Sequence, residues 1–346
     1  MTEQHTEAEI RSEREWIRVL AKYRDPNLSR SITEIVVTLV PLFALWGAGI
    51  WLSTRLPILA LLVAAVAGLF LVRTFILQHD CGHGALLPNR KAQDMLGRIL
   101  GVLTVTPYAV WRQTHAVHHS AAGHLDKRGM GDVTTLTTEE YRARGFWGRL
   151  GYRAYRHPLF LFGMAPALLF LFQNRIPLGL MGERRFWTSA MGTNAAILAL
   201  LVVFWLIGGF SAILLVWLPS VVVGATVGVW LFYIQHQFEE TCWDNTEDWD
   251  LHHAALHGSS HYIMPGWMAW MVGYIGIHHV HHLYSRIPFY RLPEVLRDYP
   301  ALGEAQQLTI LESFACARRH LWDVKTRRLL TFREYAKMLR SEAALA

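Results

Sequence analysis

Three short windows of the sequence are rich in histidine, whose neutral imidazole is a common ligand of Fe, Zn, Cu and Ni. They read HDCGH at 79–83, HAVHH at 115–119 and HHVHH at 278–282, so nine histidines occupy fifteen positions. Residues spaced i, i+3 and i+4 lie close together on one side of a helix. Each window is therefore expected to present two or three imidazoles from one helical face. The candidate ligands are His79, His83, His115, His118, His119, His278, His281 and His282.

Eight imidazoles are too many for one metal ion, since zinc takes four ligands in structural sites and three in catalytic sites. Two ions with open positions would use them all. His236, alone in YIQHQ at the end of an apolar run, is expected to be a ninth ligand. A metal-bound imidazole usually donates its second N–H group to a carboxylate or a carbonyl. Asp80, Glu239 and Asp244 are the expected partners for that bond, whereas His279 is interpreted as a neighbour of the ligands.

Four apolar runs are long enough to form helices that cross about 30 Å of hydrocarbon. They comprise residues 32–54, 56–77, 189–208 and 212–234. Very short connections join them in pairs, which predicts two helical hairpins. Shorter apolar stretches predict interfacial or buried helices rather than spans. These stretches are residues 99–111, 158–172 and 265–277.

The positions of the histidines and of the basic residues predict an orientation. Each window, like His236, follows the end of an apolar stretch, so all are expected at one face of the membrane. Of the 33 Lys and Arg residues, the hairpin tips carry only Arg55, and positive charge stays on the cytosolic side. The sequence therefore predicts an all-α integral membrane protein. Four transmembrane helices form two hairpins, and both termini and a helical cap carrying the histidines lie in the cytosol.

The composition favours a membrane protein and excludes several other classes. Of the 346 residues, 52% are hydrophobic and 17% are charged, against about 25% charged in soluble domains. The three cysteines form no CxxC pair, which argues against a thiolate zinc site or a disulfide scaffold. The net charge of +6 favours an anionic lipid surface over nucleic acid as a partner.

The chain is expected to divide into three segments. Residues 1–31 form a cytosolic N-terminal segment, residues 32–300 the membrane domain, and residues 301–346 a cytosolic helical tail. A helix lying on the lipid surface and a solvated amphipathic cap explain the first segment equally well. Its apolar residues on one helical face are Ile10, Trp16, Ile17, Leu20 and Tyr23.

Together these strings resemble the membrane fatty acid desaturases of the acyl-lipid type. HDCGH, HAVHH and HHVHH occur in order, with QHQFE after the fourth apolar run. The likeness extends to HLDKRGMGD and HHLYSRIPFYRLPE and covers roughly residues 30–300. It implies a non-haem di-iron centre held by the eight window histidines and His236, with O2 as co-substrate. No HPGG string marks a fused cytochrome domain, so electrons are expected from a separate ferredoxin, flavodoxin or cytochrome-type carrier.

The resemblance predicts an oxidoreductase that introduces a cis double bond into a lipid-linked acyl chain, in the inner membrane of a bacterium. An unactivated C–H bond has neither acidity nor a leaving group, so the chemistry requires a strong oxidant such as iron with oxygen. An apolar tunnel would position the chain, although an aromatic belt at the membrane interface explains the same residues equally well. The candidate tunnel residues are Trp111, Trp230, Phe232, Tyr233, Trp267 and Trp270.

Two other functions remain open at this point. A hydroxylase acting on an alkane, a carotenoid or a sphingolipid would use the same ligands, and only the flanking strings favour desaturation. A histidine-rich metal transporter would carry polar groups midway through its spans, whereas these runs are almost free of charge. The sequence therefore favours the desaturase over both.

Overall fold

The structure, a computed structural model, describes residues 13–345. Over these residues the chain is mostly helical, as the sequence predicted, and its strands are only two or three residues long. The helices are α1 (Glu13–Leu20), α2 (Leu28–Ser53), α3 (Pro57–His83), α4 (Arg90–Leu103), α5 (Tyr108–Ala121), α6 (Thr138–Ala143), α7 (Phe146–Tyr155), α8 (Ala165–Leu171), α9 (Arg184–Ala212), α10 (Leu218–His236), α11 (Leu251–His257), α12 (Gly266–Met271), α13 (His278–Leu283), α14 (Leu292–Asp298), α15 (Pro300–Glu304), α16 (Ile310–Cys316) and α17 (Phe332–Leu345). The strands are β1 (Leu136–Thr137), β2 (His261–Ile263), β3 (Gln307–Thr309), β4 (Leu321–Asp323) and β5 (Arg328–Leu330).

Within the described residues, three helical stretches are long and apolar enough to cross a membrane: Leu28–Ser53, Pro57–His83 and Arg184–His236. The third is 53 residues long, but it is broken at Gly209, whose φ of 65° and ψ of −162° are not helical. This backbone conformation is essentially restricted to glycine. A further apolar pair, Phe146–Tyr155 with Leu159–Arg175, is bent by 52°. The two runs predicted at 189–208 and 212–234 thus lie on either side of the Gly209 break.

The loop between α2 and α3 lies beside the break at Gly209. The hydroxyl groups of Ser53 and Ser211 are 3.2 Å apart. A Cβ atom at Gly208 would lie 2.6 Å from the Ile50 side chain, so the two chain segments are in close contact. The histidines of α3 and α10 lie at the far ends of those helices, where each helix ends.

Helices α3 and α10 approach each other closely at Gly68. A Cβ atom at Gly68 would lie 2.8 Å from the Val223 side chain and 2.9 Å from the carbonyl oxygen of Ser220. Gly224 of α10 faces the Gly68 carbonyl from the other side. Small residues at such a contact allow two helix backbones to pack without intervening side chains. Because α3 ends at His83 and α10 at His236, the contact at Gly68 sets the relative position of two histidine-bearing helix ends.

A buried ion pair joins the first two long helices. The Arg73 guanidinium of α3 pairs with the Glu34 carboxylate of α2, and both side chains are almost completely buried. Arg30 binds the second oxygen of that carboxylate at 2.7 Å. Arg73 also lies 3.9 Å from the ring centroid of Trp270 in α12. Charges in an apolar helix are tolerated when they are paired in this way, so the pair connects α2, α3 and α12.

The shorter elements beyond the histidine-bearing ends of these helices are here called the cap. The cap contains two small sheets. Strand β4 pairs with β1 in parallel and with β5 in antiparallel orientation, with Leu321 opposite both Leu136 and Leu330. Strands β2 and β3 pair in parallel. The segment 301–346, predicted as a helical tail, therefore contains β3, β4 and β5 besides its helices. Strands this short carry too few residues to show a period of two in the sequence.

The N-terminal helix α1 packs against the cap. Leu20 and Tyr23 are buried in an apolar cluster with Val280 of α13. The Tyr23 hydroxyl donates a hydrogen bond to Asp298 at 2.5 Å, and this bond holds the pKa of the Asp298 carboxyl below its usual value. Of the apolar face predicted for this segment, Trp16, Leu20 and Tyr23 thus contact protein, while Ile10 lies outside the described residues.

Candidate metal centre

The nine candidate ligands converge in two clusters at the ends of the apolar helices. Within each cluster the candidate ligand atoms lie within 4.8 Å of one another. The five-histidine cluster consists of His79, His83, His115, His119 and His281. The four-histidine cluster consists of His118, His236, His278 and His282.

The helical spacing of each window distributes its imidazoles between the clusters. In α5, His115 and His119 are four residues apart and join the five-histidine cluster, while His118 joins the other. In α13, His278 and His282 are four residues apart and join the four-histidine cluster, while His281 joins the five-histidine cluster. Positions i+3 and i+4 differ by about 100° around a helix, so neighbouring residues point to different clusters. Both HxxHH windows therefore bridge the two clusters.

The helix that carries the first window ends directly after it. Gly84 follows His83 with a φ of 76°, a left-handed conformation that ends α3. The amide of Ala85 then donates to the carbonyl of Asp80 at 2.9 Å. His79 and His83 consequently lie on the last two turns of a long helix.

The Nε2 atoms within each cluster face one another at short distances. His83 Nε2 lies 3.3 Å from His79 Nε2 and 2.9 Å from His115 Nε2. In the four-histidine cluster, His278 Nε2 lies 3.0 Å from His236 Nε2 and 3.1 Å from His282 Nε2. A neutral imidazole has only one donor and one acceptor nitrogen, so hydrogen bonds cannot satisfy all of these contacts.

A shared cation satisfies the same contacts at once. A metal–nitrogen bond of about 2.1 Å places two ligands at right angles about 3.0 Å apart, which matches the observed separations. His118 Nε2 is buried and has no hydrogen-bond partner among the described residues, as expected for an atom that serves as a metal ligand. The residues of both clusters therefore fit transition-metal ions.

Burial keeps the imidazoles of the cap in the form that binds metals. It lowers the pKa of His115, His119, His281 and His282 well below the usual value for histidine, and neighbouring imidazoles lower it further. These side chains are consequently neutral at physiological pH, with a lone pair available for a ligand bond.

Three imidazoles are oriented through their Nδ1 atoms. His118 Nδ1 lies 2.5 Å from an oxygen of Asp132, and His236 Nδ1 lies 3.0 Å from the Gly258 carbonyl oxygen. His79 Nδ1 lies 3.3 Å from Asp80, whose other oxygen accepts a 2.7 Å bond from the Phe289 amide. Such contacts fix the ring orientation and leave Nε2 for the metal.

The structure corrects the expected role of two carboxylates. Glu239 forms ion pairs with Arg319 and Arg328, and Asp244 pairs with Arg327 at 2.6 Å. Both carboxylates thus contact guanidinium groups rather than cluster imidazoles, because the C-terminal strands return across this part of the cap. Asp132 was one of several carboxylates near the windows in the sequence and was not among the expected partners, because its contact with His118 depends on the turn at Gly131. Gly131 has a φ of 85°.

Of the candidate tunnel residues, two lie directly at the clusters. The Trp111 ring stacks on His115 with centroids 4.7 Å apart, and the Phe232 ring lies 5.0 Å from His118. Tyr233 is buried and donates its hydroxyl proton toward the Arg319 carbonyl. Trp267 is 67% exposed.

The remaining tryptophan candidates pack elsewhere in the fold. Trp270 packs on Arg73, and Trp230 packs between Phe162 and Phe314. Among the described contacts, only Trp111 and Phe232 of the six candidates lie against cluster imidazoles.

Other histidines of the cap bind backbone carbonyls. His279 Nε2 lies 2.7 Å from the Leu302 carbonyl oxygen, and His261 Nδ1 lies 2.7 Å from that of Gly303. His279 is therefore a neighbour of the ligands, as its position on α13 predicted.

Comparisons with known proteins agree with this geometry. Residues 56–314 match the family model described as fatty acid desaturase. A Bacillus subtilis protein named fatty acid desaturase is 35% identical over 316 residues, which cover 91% of this chain and 89% of that protein. A Synechocystis protein named sn-1 oleoyl-lipid 12-desaturase is 26% identical over 244 residues, covering 65% of this chain and 64% of that protein. A sunflower protein named sn-2 acyl-lipid omega-3 desaturase (ferredoxin), chloroplastic, is 37% identical over 62 residues, covering 18% of this chain and 14% of that protein.

Proposed function

The chain belongs to the fatty acid desaturase family, and we propose that it forms a cis double bond in an acyl chain held in a membrane lipid. Two irons, bound by the five-histidine and four-histidine clusters, would use O2 and two electrons from a separate carrier. The observation that carries this proposal is the pair of imidazole clusters at the ends of apolar helices. The name of the Synechocystis relative, an oleoyl-lipid desaturase, supports a lipid-linked substrate.

The choice of iron rests on the chemistry that the family requires. When bound, two irons supply with O2 the oxidising power to break unactivated C–H bonds. The protein supplies neutral nitrogen ligands only, since the clusters contain imidazoles and no thiolate or carboxylate ligand among the described residues. Its Nδ1 partners, Asp80, Asp132 and the Gly258 carbonyl, hold the rings in place before any substrate binds.

The aromatic side chains beside the clusters would exclude water and position the acyl chain. Trp111 covers the five-histidine cluster and Phe232 the four-histidine cluster. Holding one pair of carbons against the centre is the positioning on which the site of desaturation depends.

We also propose four membrane crossings in two hairpins, with the clusters and both termini in the cytosol of a bacterial cell. The helix break at Gly209 and the contact between Ser53 and Ser211 support a second hairpin whose tip lies beside the first. The near absence of Lys and Arg from those tips supports a cytosolic cap. A cap in the cytosol would expose the clusters to a soluble electron carrier, and the ferredoxin in the sunflower relative's name supports such a carrier.

Product analysis tests the proposed function. The chain is expressed in a bacterial host that lacks its own desaturase, and the acyl chains of the membrane lipids are analysed by mass spectrometry. Loss of two hydrogens from lipid-linked chains, absent with His281→Ala, is the expected result. Gain of one oxygen would identify a hydroxylase instead, and free or carrier-bound chains as the first product would contradict the lipid-linked substrate.

A further inference from the structure

We propose that one lobe of the cap is the docking surface for an acidic one-electron carrier, an inference that rests on the proposed function. The basic lobe, as we call it, consists of residues 134–156 and 317–345. Its sheet β1–β4–β5 and helices α6, α7 and α17 share an apolar cluster. That cluster contains Leu136, Tyr141, Tyr152, Leu321 and Tyr335.

The positive charge of the chain is concentrated in the basic lobe. The lobe has thirteen Lys and Arg residues against five Asp and Glu residues, a net charge of +8, whereas the whole chain has +6. The rest of the chain therefore has a net charge of −2. Glu239 and Asp244 pair with arginines of the lobe, and the charge is still +6 when both are included. A surface of this sign attracts an acidic partner and accelerates its association.

The exposed part of this charge lies on the side formed by the β4–β5 hairpin and α17. Arg318 lies just before β4, and Lys325 lies in the turn between β4 and β5; both are exposed. Arg333, Lys337 and Arg340 of α17 are exposed as well. Helix α7, by contrast, exposes apolar side chains such as Trp147 beside its arginines, which suits contact with lipid. We therefore assign the docking surface to the hairpin side.

The basic lobe is attached directly to the helix that carries His236. The Arg156 guanidinium donates to the Tyr233 hydroxyl at 2.9 Å, and that hydroxyl lies 2.8 Å from the Arg319 carbonyl oxygen. The Leu329 amide of β5 donates to the Glu239 carbonyl at 3.0 Å. A carrier on the hairpin would thus lie just beyond the end of α10.

Buried indole rings lie between the hairpin and the four-histidine cluster. Trp322 of β4 shares a small apolar cluster with Trp243, and Trp243 lines the same cavity as His118 and His236. Neither indole N–H group has a hydrogen-bond partner among the described residues. The two rings thus form a packed connection from the hairpin to the cavity beside the four-histidine cluster.

The proposed transfer is a single electron with no bond made or broken. A reduced iron–sulfur or flavin carrier would give up one electron, and one of the ferric ions that the histidine clusters would hold would accept it. The tryptophans act only as a bridge and keep their oxidation state. Two such events supply the two electrons of one turnover.

Charge reversal on the hairpin side tests the docking surface. We compare Arg318→Glu/Lys325→Glu with a control of equal charge change on exposed positions of α4, Lys91→Glu/Arg98→Glu. Binding of an acidic bacterial ferredoxin to the full chain in nanodiscs of zwitterionic lipid is measured at low and high salt. We expect the first variant to bind about tenfold more weakly at low salt, while the control binds as the wild type does.

Reduction kinetics provide the second measurement. In stopped-flow experiments, ferredoxin should reduce the iron of Arg318→Glu/Lys325→Glu slowly, while the small reductant dithionite reduces it at the wild-type rate. Equal effects in the two double variants, or none in either, would overturn the docking surface. A change confined to nanodiscs of anionic lipid, with ferredoxin binding intact, would also overturn it.

The docking surface and the proposed function can fail separately. If wild-type protein reduced with dithionite and given O2 forms no unsaturated lipid, the proposed function fails, whatever the binding result. If it forms unsaturated lipid but the hairpin variant binds ferredoxin normally, the docking proposal alone is wrong. Arg318→Gln/Lys325→Gln, which removes charge without reversing it, should give an intermediate loss of binding if charge is the cause.

Discussion

The Nδ1 atom of His118 lies 2.5 Å from an oxygen of Asp132 in the loop that follows α5. The contact turns the Nε2 atom of His118 toward the four-histidine cluster, where this atom has no hydrogen-bond partner among the described residues. A carboxylate in this position fixes the tautomer of the ring and makes it a better ligand.

Replacing Asp132 with Asn should weaken metal binding in the four-histidine cluster. We expect affinity or activity to fall by about 10-fold to 100-fold, as is usual when such a partner is removed. Iron per protein, measured after dialysis against a weak chelator, checks this. Asp126→Asn is the matched control, because Asp126 is exposed and bonds to Thr246. Full iron content in Asp132→Asn would show that the contact does not support the metal.

Replacement of two nearby histidines of α13 should affect activity and iron content very differently. His281→Ala should abolish desaturation and lower the iron content, because His281 belongs to the five-histidine cluster. His279→Gln should retain both, since His279 bonds to the Leu302 carbonyl outside the clusters. The two variants are compared by iron analysis and by lipid profiles, in membranes that contain equal amounts of inserted protein. Activity in His281→Ala would contradict its assignment as a ligand.

Removing the carboxylate of the buried ion pair should destabilise the protein. Glu34→Gln leaves the Arg73 guanidinium without its charge partner, a change that costs about 3 to 5 kcal/mol in buried pairs. Glu34→Gln/Arg73→Met removes both charges and should recover most of this loss. Unfolding midpoints in detergent provide the measurement.

The surface pair Glu183–Arg185 provides the matched control. Glu183→Gln should cost under about 1 kcal/mol. If Glu34→Gln/Arg73→Met is no more stable than Glu34→Gln alone, the unpaired Arg73 charge does not cause the loss of stability.

The basic lobe should lose stability in acid through His320. This imidazole stacks on Phe332, and burial together with the charges of Arg156, Arg153 and His157 lowers its pKa to about 3. The unfolded chain binds the proton near pH 6.5. The contribution of His320 to the free energy of unfolding is therefore fully present above about pH 6.5. It decreases as the pH drops below that value, by at most about 1.4 kcal/mol per pH unit.

The variant His320→Leu should remove that part of the pH dependence. Between roughly pH 7 and pH 5, its unfolding midpoint should fall less steeply than that of the wild type. The other buried histidines contribute equally to both proteins, so the difference between the two slopes isolates His320. Parallel slopes would mean that His320 titrates normally.

Helical periodicity explains how far the sequence could predict the metal centre. The spacing within each window determines which imidazoles share a face, so convergence was predictable. The division into two clusters was not, because His118 and His119 point about 100° apart and only the neighbouring helices decide which cluster each one meets. Relatives at the family level confirm the activity that the windows and their flanks suggested.

Contacts made across long loops were the features that the sequence could not supply. Asp132 reaches His118 because the chain turns at Gly131. Glu239 pairs instead with Arg319, which lies eighty residues later, just before β4. The Glu34–Arg73 pair had a usable signal, since opposite charges in two neighbouring apolar runs are expected to meet. The short strands of the cap had no usable signal in the sequence.

The absence of a side chain at Gly68 determines how closely α3 and α10 approach each other. There α3 and α10 are in contact backbone to backbone; α3 carries His79 and His83 of the five-histidine cluster, and α10 carries His236 of the four-histidine cluster. The distance between the two histidine clusters therefore depends on how closely the helices approach each other at Gly68. A side chain added at Gly68 would force the two helices apart and would shift His236 relative to His79, so a residue distant from both clusters controls how they face each other.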